Sequence, residues 1–194
     1  MFGKAGSMIG FRLFSLNGEI GDVEEFIFDE FRWNVSHLVV TTGRWHSGHQ
    51  VWIPACSLGR VNRGKQTIRV DLTSSQIMAL LAMKSRDPLV CGTRSLQGIG
   101  VHATDGRIGR VEDFIINDET WSVCYLLMAL RGWLPGRKVL IPLDQIKSVS
   151  AHDAKILLFP DRATVRLARP YREESADIEG FGAGLHGRQQ GLGS

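Results

Sequence analysis

Apolar residues in this chain come in short bursts divided by glycine and polar pairs, and one burst occurs twice. Gly18-Glu19-Ile20-Gly21-Asp22-Val23-Glu24-Glu25-Phe26-Ile27 returns as Gly106-Arg107-Ile108-Gly109-Arg110-Val111-Glu112-Asp113-Phe114-Ile115, at an offset of 88 residues with no gap. The match runs on through Trp33 and Trp121, Val35 and Val123, Leu38 and Leu126, Trp45 and Trp133, and Gly48 and Gly136. It ends on Val51, Ile53 and Pro54 against Val139, Ile141 and Pro142. From Gly18 to Pro54, 15 of 37 positions are identical. Agreement of that density at one period marks a duplication. The shared residues are glycines, apolar residues, two tryptophans, one glutamate and one proline, the makings of a folding kernel. Glycine supplies turn conformations that other residues resist, and Val, Ile, Phe and Trp suit half-buried strands.

Each copy predicts a run of short strands. Asn17-Gly18 and Asp105-Gly106 are hairpin-turn dipeptides. Strands follow over Ile20 to Phe28 and Ile108 to Ile116, then over Trp33 to Thr41 and Trp121 to Ala129. Glycine-containing connections lead to Gln50 to Ile53 and Lys138 to Ile141, where Pro54 and Pro142 stop the ladder. Leu58 to Asn62 and Thr67 to Asp71 complete the first copy, Ile146 to Ser150 and Lys155 to Phe159 the second. Thr73-Ser74-Ser75-Gln76 is a capping box that opens a helix carrying Ile77, Leu80, Leu81 and Lys84. Asp161 takes the matching cap position, before a shorter helix over Arg162 to Leu167. Many short strands broken by turns, in modules of about 60–70 residues, point to small closed sheets.

The bulk numbers narrow the class. The chain has 194 residues, 43% hydrophobic and 22% charged, with a formal net charge of +3 and a pI near 8.9. These are values of a soluble globular protein, too weakly basic for a dedicated nucleic-acid binder. Cys56, Cys91 and Cys124 are odd in number, scattered and without a CxxC, so neither a disulfide framework nor a zinc site is expected. No apolar run approaches the ~20 residues of a membrane span, and Met1 to Gly10 lacks a signal-peptide core. The expectation is a cytoplasmic protein without direct membrane insertion.

The run Gly-x-Ile-Gly-x-Val-Glu-[Glu/Asp]-Phe-Ile, then Trp33 or Trp121, then Trp133-Leu134-Pro135-Gly136-Arg137-Lys138-Val139-Leu140-Ile141-Pro142, resembles the PRC-barrel family. Val70-Asp71-Leu72-Thr73-Ser74-Ser75-Gln76-Ile77 is similar to the segment that leaves the barrel in many members. The resemblance implies an all-β chain with short helices, built as two tandem six-stranded PRC-type β-barrels. The expected organisation is a first barrel with its helix over 8–84, a linker over 85–97, a second barrel over 98–170, and an extended or disordered Gly-rich tail over 171–194. The family includes the cytoplasmic domain of the photosynthetic reaction-centre H subunit and the C-terminal domain of a ribosome-maturation factor. It therefore implies protein–protein contact and not catalysis. This chain lacks the membrane helix of the first and the second domain type of the other, so neither specific role carries over.

No residue set reads as an active site. His46 and His49 have the spacing of a ligand pair, but copy two has Leu134 and Arg137 there and no third ligand is evident. Glu24-Glu25 and Glu112-Asp113 are strand neighbours on opposite faces, poorly placed for joint acid–base work. Arg60, Arg63, Lys65 and Arg69 form a basic stretch that suits a charged strand edge or a phosphate patch. The copies differ at Arg44, His46, His49 and Trp52 in one and Arg131, Leu134, Arg137 and Lys138 in the other. Divergence marks surface specificity, so the candidate interaction surface is Arg44, His46, His49, Trp52, Arg60, Arg63, Lys65, Arg131, Arg137 and Lys138. The expected function is a non-enzymatic adaptor or scaffold, with no cofactor or metal, an unidentified protein partner and a tendency to homo-oligomerise. The alternatives are an RNA- or ribosome-associated factor and an accessory protein of a reaction centre or other membrane complex.

Overall fold

The computed structural model describes residues 1–29, 32–43, 48–81, 90–132, 136–150 and 153–172. Strand β1 (Phe2–Lys4) precedes β2 (Arg12–Ser15), β3 (Gly18–Asp29), β4 (Asn34–Thr42), β5 (Gln50–Pro54), β6 (Leu58–Asn62) and β7 (Thr67–Val70). Helix α1 (Ser74–Leu81) closes the first half. The second half opens with β8 (Val90–Gly92) and helix α2 (Thr93–Leu96). It continues through β9 (Gly100–Ala103), β10 (Gly106–Asn117), β11 (Ser122–Leu130), β12 (Lys138–Pro142), β13 (Ile146–Ser150) and β14 (Lys155–Leu158) to α3 (Arg162–Arg166). The chain is mostly strand with few short helices, the all-β class the pattern predicts.

The two halves repeat one strand order. β6-β7-β2-β3-β4-β5 in the first corresponds to β13-β14-β9-β10-β11-β12 in the second, six strands each. In both, the strand after the first hairpin is long and bulged, with register shifts between Val23 and Glu25 and between Val111 and Asp113. Such bulges bend a strand and sharpen its twist, which lets a small sheet curl. The hairpin loops are Leu16-Asn17 and Thr104-Asp105, one residue earlier than the dipeptides suggest. Gly18 and Gly106 open the strands at φ 147° and 134°. The loop residue then caps the helix. Asn17 Oδ1 accepts from Ser74 N–H at 2.8 Å, and Asp105 Oδ1 accepts from Arg162 N–H at 2.8 Å. The predicted capping box forms, with Thr73 N–H donating to Gln76 Oε1 at 2.8 Å and Gln76 N–H donating to Thr73 Oγ1 at 3.3 Å.

Residues 85–97 do not behave throughout as a linker. Residues 82–89 lie outside the described residues, but β8 adds to the edge of β3, pairing Val90 with Asp29, Cys91 with Phe28 and Gly92 with Ile27. β1 does the same to the other half, pairing Phe2 with Asn117, Gly3 with Ile116 and Lys4 with Ile115 on β10. These registers are equivalent under the repeat offset. Each half thus lends its leading strand to the other, a reciprocal exchange of arms. After each arm comes one helical turn, Gly6–Met8 or α2, anchored on the opposite half. Gly6 N–H donates to the Asp113 carboxylate at 3.0 and 3.2 Å, and Arg94 N–H donates to Glu25 Oε1 at 2.9 Å. Ser7 and Ser95 close the two turns alike, onto Lys4 O at 2.7 Å and Gly92 O at 2.9 Å.

The seam between the halves explains the repeated tryptophans. Trp33 and Trp121 do not start strands as their pattern suggests; they hold left-handed backbones at φ 52° and 55° just before β4 and β11. That turn points each carbonyl at the other half. Val35 N–H donates to Trp121 O at 2.8 Å and Val123 N–H to Trp33 O at 2.7 Å. Phe26 stacks on Trp121 and Trp33 meets Phe114, both at centroid separations of 6.2 Å. Most buried apolar residues of the two halves form one shared core, in which Met8, Phe26, Phe28, Leu96 and Phe114 are almost wholly buried, and Ile115, Tyr125, Leu127 and Leu140 form a smaller second cluster. The expectation of separate barrels beyond a linker therefore gives way to two like halves fused over a common interior.

Candidate interaction surfaces

The repeated Glu24 and Glu112 sit in the two bulges, where an extra residue turns a side chain out of register. Glu24 accepts hydrogen bonds from Thr41 Oγ1 at 2.5 Å and Gln50 Nε2 at 3.1 Å, and pairs with Arg94 Nη1 at 3.2 Å across the seam. The Thr41 hydroxyl, with Gln50 and Arg94, holds the Glu24 carboxyl below its ordinary pKa. Glu112 pairs with Lys138 at 2.7 Å, the position equivalent to Gln50. Asp113 has its pKa raised by burial, against the opposing N–H donors of Gly6 and Phe114. Glu24, Glu112, Asp113 and Arg94 face one small cavity of about 120 Å³ on the seam. Every carboxylate there has a structural partner: Glu24 and Asp113 fasten the arms through Arg94 and Gly6, and Glu112 holds Lys138 of its own half. Among the described residues, no group of three or more His, Cys, Asp or Glu side chains is placed to hold a metal ion.

The candidate residues fall in several places. Arg44 and His46 lie outside the described residues, as do Trp45, Trp133 and Leu134. His49 is exposed, and its carbonyl accepts from Thr42 N–H at 2.9 Å. Trp52 is half-buried on β5, its ring 5.8 Å from that of His37. The basic stretch of the first half is split. Arg60, Lys65 and Arg69 are exposed, whereas Arg63 turns to Asp118 of the other half at 2.6 Å.

Arg131, Arg137 and Lys138, by contrast, come together. They line a groove of about 530 Å³ over the outer face of β10, β11 and β12, with Arg107 and Arg110 completing the cationic set. Register explains the grouping, because Arg110 lies opposite Ala129 and Ala129 opposite Lys138, so the three share one face. Lys138 is tied to Glu112, and Arg137 Nη2 donates to Arg166 O at 2.9 Å. Arg107, Arg110 and Arg131 are exposed and have no carboxylate partner among the described residues.

The aligned positions of the first half carry the opposite sign, although Glu19 is paired with Arg12 at 3.5 Å and Glu24 with Arg94 at 3.2 Å. At the positions of Arg107, Arg110, Glu112, Arg131, Arg137 and Lys138 stand Glu19, Asp22, Glu24, Gly43, His49 and Gln50. Five cations and one carboxylate replace three carboxylates and no Lys or Arg. The backbone beneath is unchanged: Gly43 N–H donates to Ile20 O at 2.8 Å, as Arg131 N–H does to Ile108 O at 2.9 Å. Sequence reasoning that follows identities between copies passes over Arg107 and Arg110. Their signal is the reversal at Glu19/Arg107 and Asp22/Arg110, inside the best-matched stretch of the repeat.

No helix among the described residues is long and apolar enough to cross a membrane. In comparison with known protein families, residues 94–165 match the model of the PRC-barrel domain. The match runs from α2 into α3 and so takes in all six strands β9 to β14. A search of curated proteins gave no match to the chain.

Proposed function

We propose that this chain, which contains a PRC-barrel domain at residues 94–165, is a non-catalytic protein-binding module whose first half is a diverged second copy of that domain. The copies act as one rigid scaffold that presents two unlike faces to protein partners. One observation carries this reading. Among the described residues, the apolar side chains repeated between copies are buried or packed against the core, while aligned exposed positions carry reversed charge. Selection on folding alone gives no reason to gather Arg107, Arg110 and Arg131 without carboxylate partners among the described residues, since like charges repel one another and oppose compaction.

Crosslinking of the full chain in its host, followed by binding measurements between purified proteins, tests the reading. It expects at least one protein that binds the purified chain directly and loses affinity when exposed residues of one half are changed. Substrate turnover abolished by Glu24→Gln or Asp113→Asn in a well-folded chain would overturn it.

A further inference from the structure

The groove over β10, β11 and β12 has features that specify its occupant. Three guanidinium groups, Arg107, Arg110 and Arg131, surround it without an ion-pair partner among the described residues. Two further cations, Arg137 and Lys138, are held in place by Arg166 O and Glu112. Arginine presents a planar fork that binds a carboxylate through two parallel hydrogen bonds. Between the cations the lining is Gly109, Ala129, Leu130 and Gly136, which gives a floor of little bulk and some apolar surface. Ala129 and Leu130 are only partly buried, so part of that floor is open to contact.

Glu112 lines both the groove and the seam cavity, where Asp113 and Glu24 add further negative charge. A long polyanion laid along the groove would run onto those carboxylates. A short anionic stretch of polypeptide avoids that obstacle.

We propose that Arg107, Arg110, Arg131, Arg137 and Lys138 form a docking groove for a short carboxylate-rich segment of a partner protein. This rests on the reading of the chain as a protein-binding module and gives that partner its chemistry. The first half cannot take the same segment, because Glu19, Asp22 and Glu24 occupy the equivalent surface. The duplication therefore turns one symmetric scaffold into a one-sided receptor.

The test is fluorescence anisotropy of a labelled peptide of alternating Glu and Ser, titrated with the full chain at low and high salt. The peptide should bind saturably and weaken as salt shortens the reach of the charges. The triple variant Arg107→Gln, Arg110→Gln, Arg131→Gln should lose about tenfold or more in affinity, as expected for three partly screened charge contacts. These side chains are exposed, so the variant should keep its circular dichroism spectrum and unfolding midpoint. The control Arg60→Gln, Lys65→Gln, Arg69→Gln removes equal charge elsewhere and should stay within about twofold.

Equal losses in both variants would overturn the proposal, as would tighter binding of a thymidine oligonucleotide of equal charge. So would concentration-dependent self-association abolished by the groove variant, which would make a second copy the occupant. Failure of the peptide while a native protein still binds at another surface sinks this inference alone. Absence of any protein partner sinks the broader reading.

Discussion

Met8 gives the sharpest test of how the halves are joined. It belongs to the N-terminal arm, yet it sits at 0% exposure within the common core. Its arm is fixed to the second half by Ala5 N–H on Phe114 O at 2.9 Å, and to the first by Gly10 N–H on Val23 O at 2.8 Å. Replacing a fully buried Met by Ala removes its transfer free energy and leaves a cavity, together about 2–5 kcal/mol. Domains have about 5–15 kcal/mol in all, so Met8→Ala should lower the urea midpoint by about 1 M or more at ordinary m-values. The next residue, Ile9, is 38% exposed, and Ile9→Ala should cost below about 1 kcal/mol. Urea unfolding followed by circular dichroism measures both. A loss for Met8→Ala no greater than that for Ile9→Ala would mean that the arm is a loose extension and the exchange is not part of the fold.

Three further outcomes follow from the packing. A Cβ on Gly109 would collide with the carbonyl oxygen of Ala129 across the ladder, so Gly109→Ala should cost about 1–3 kcal/mol in thermal unfolding. Gly43, whose nearest such neighbour is Ile20 O at 3.6 Å, should tolerate alanine with no loss or a gain of up to about 1 kcal/mol, and equal losses at the two sites would refute the assignment. His37 is half-buried with an unpaired Nδ1 among the described residues, and burial holds its pKa below the ordinary value. The unfolded chain then binds the proton more readily, so stability is complete above about pH 6.5 and falls below it. His37→Phe should flatten that acid limb in pH-dependent unfolding, and an unchanged slope would exclude His37 as its source. Asp118 is 8% exposed and takes both the Arg63 guanidinium at 2.6 Å and the Met1 ammonium at 3.0 Å. Asp118→Ala should cost about 1–3 kcal/mol while Arg60→Ala on the exposed face costs close to nothing; equal effects would contradict the cross-half role of Asp118.

What could be read in advance was local. The long strands, the proline-ended strands, the capping box at Thr73 and the cap at Asp161 all depend on neighbours within a few residues, and they stand where the pattern places them. The arms could not be read this way. β1 and β8 are three residues each, too short for periodicity, and they pair with strands far along the chain. Their signal lay upstream of the strongest repeat, in Ser7 and Ser95 and in Gly10 and Gly98, glycines that share left-handed backbones at φ 82° and 80°. Trp33 and Trp121 have strand-forming side chains, but the seam needs their carbonyls turned outward, and that tertiary demand outweighs propensity. For the surface, Arg131, Arg137 and Lys138 were visible as divergent positions. Arg107 and Arg110 were hidden within a stretch whose identities attract attention, and only register shows that they share a face with Lys138.

Two like halves form one cooperative scaffold through exchanged arms. Incorporating 5-fluorotryptophan places reporters in both halves, with Trp52 on β5 of the first and Trp121 at the seam of the second. A urea titration read by fluorine NMR then follows each resonance separately. Trp52 and Trp121 should lose their native signals at one common midpoint. Midpoints separated by about 0.5 M or more, with one half folded while the other is not, would contradict it.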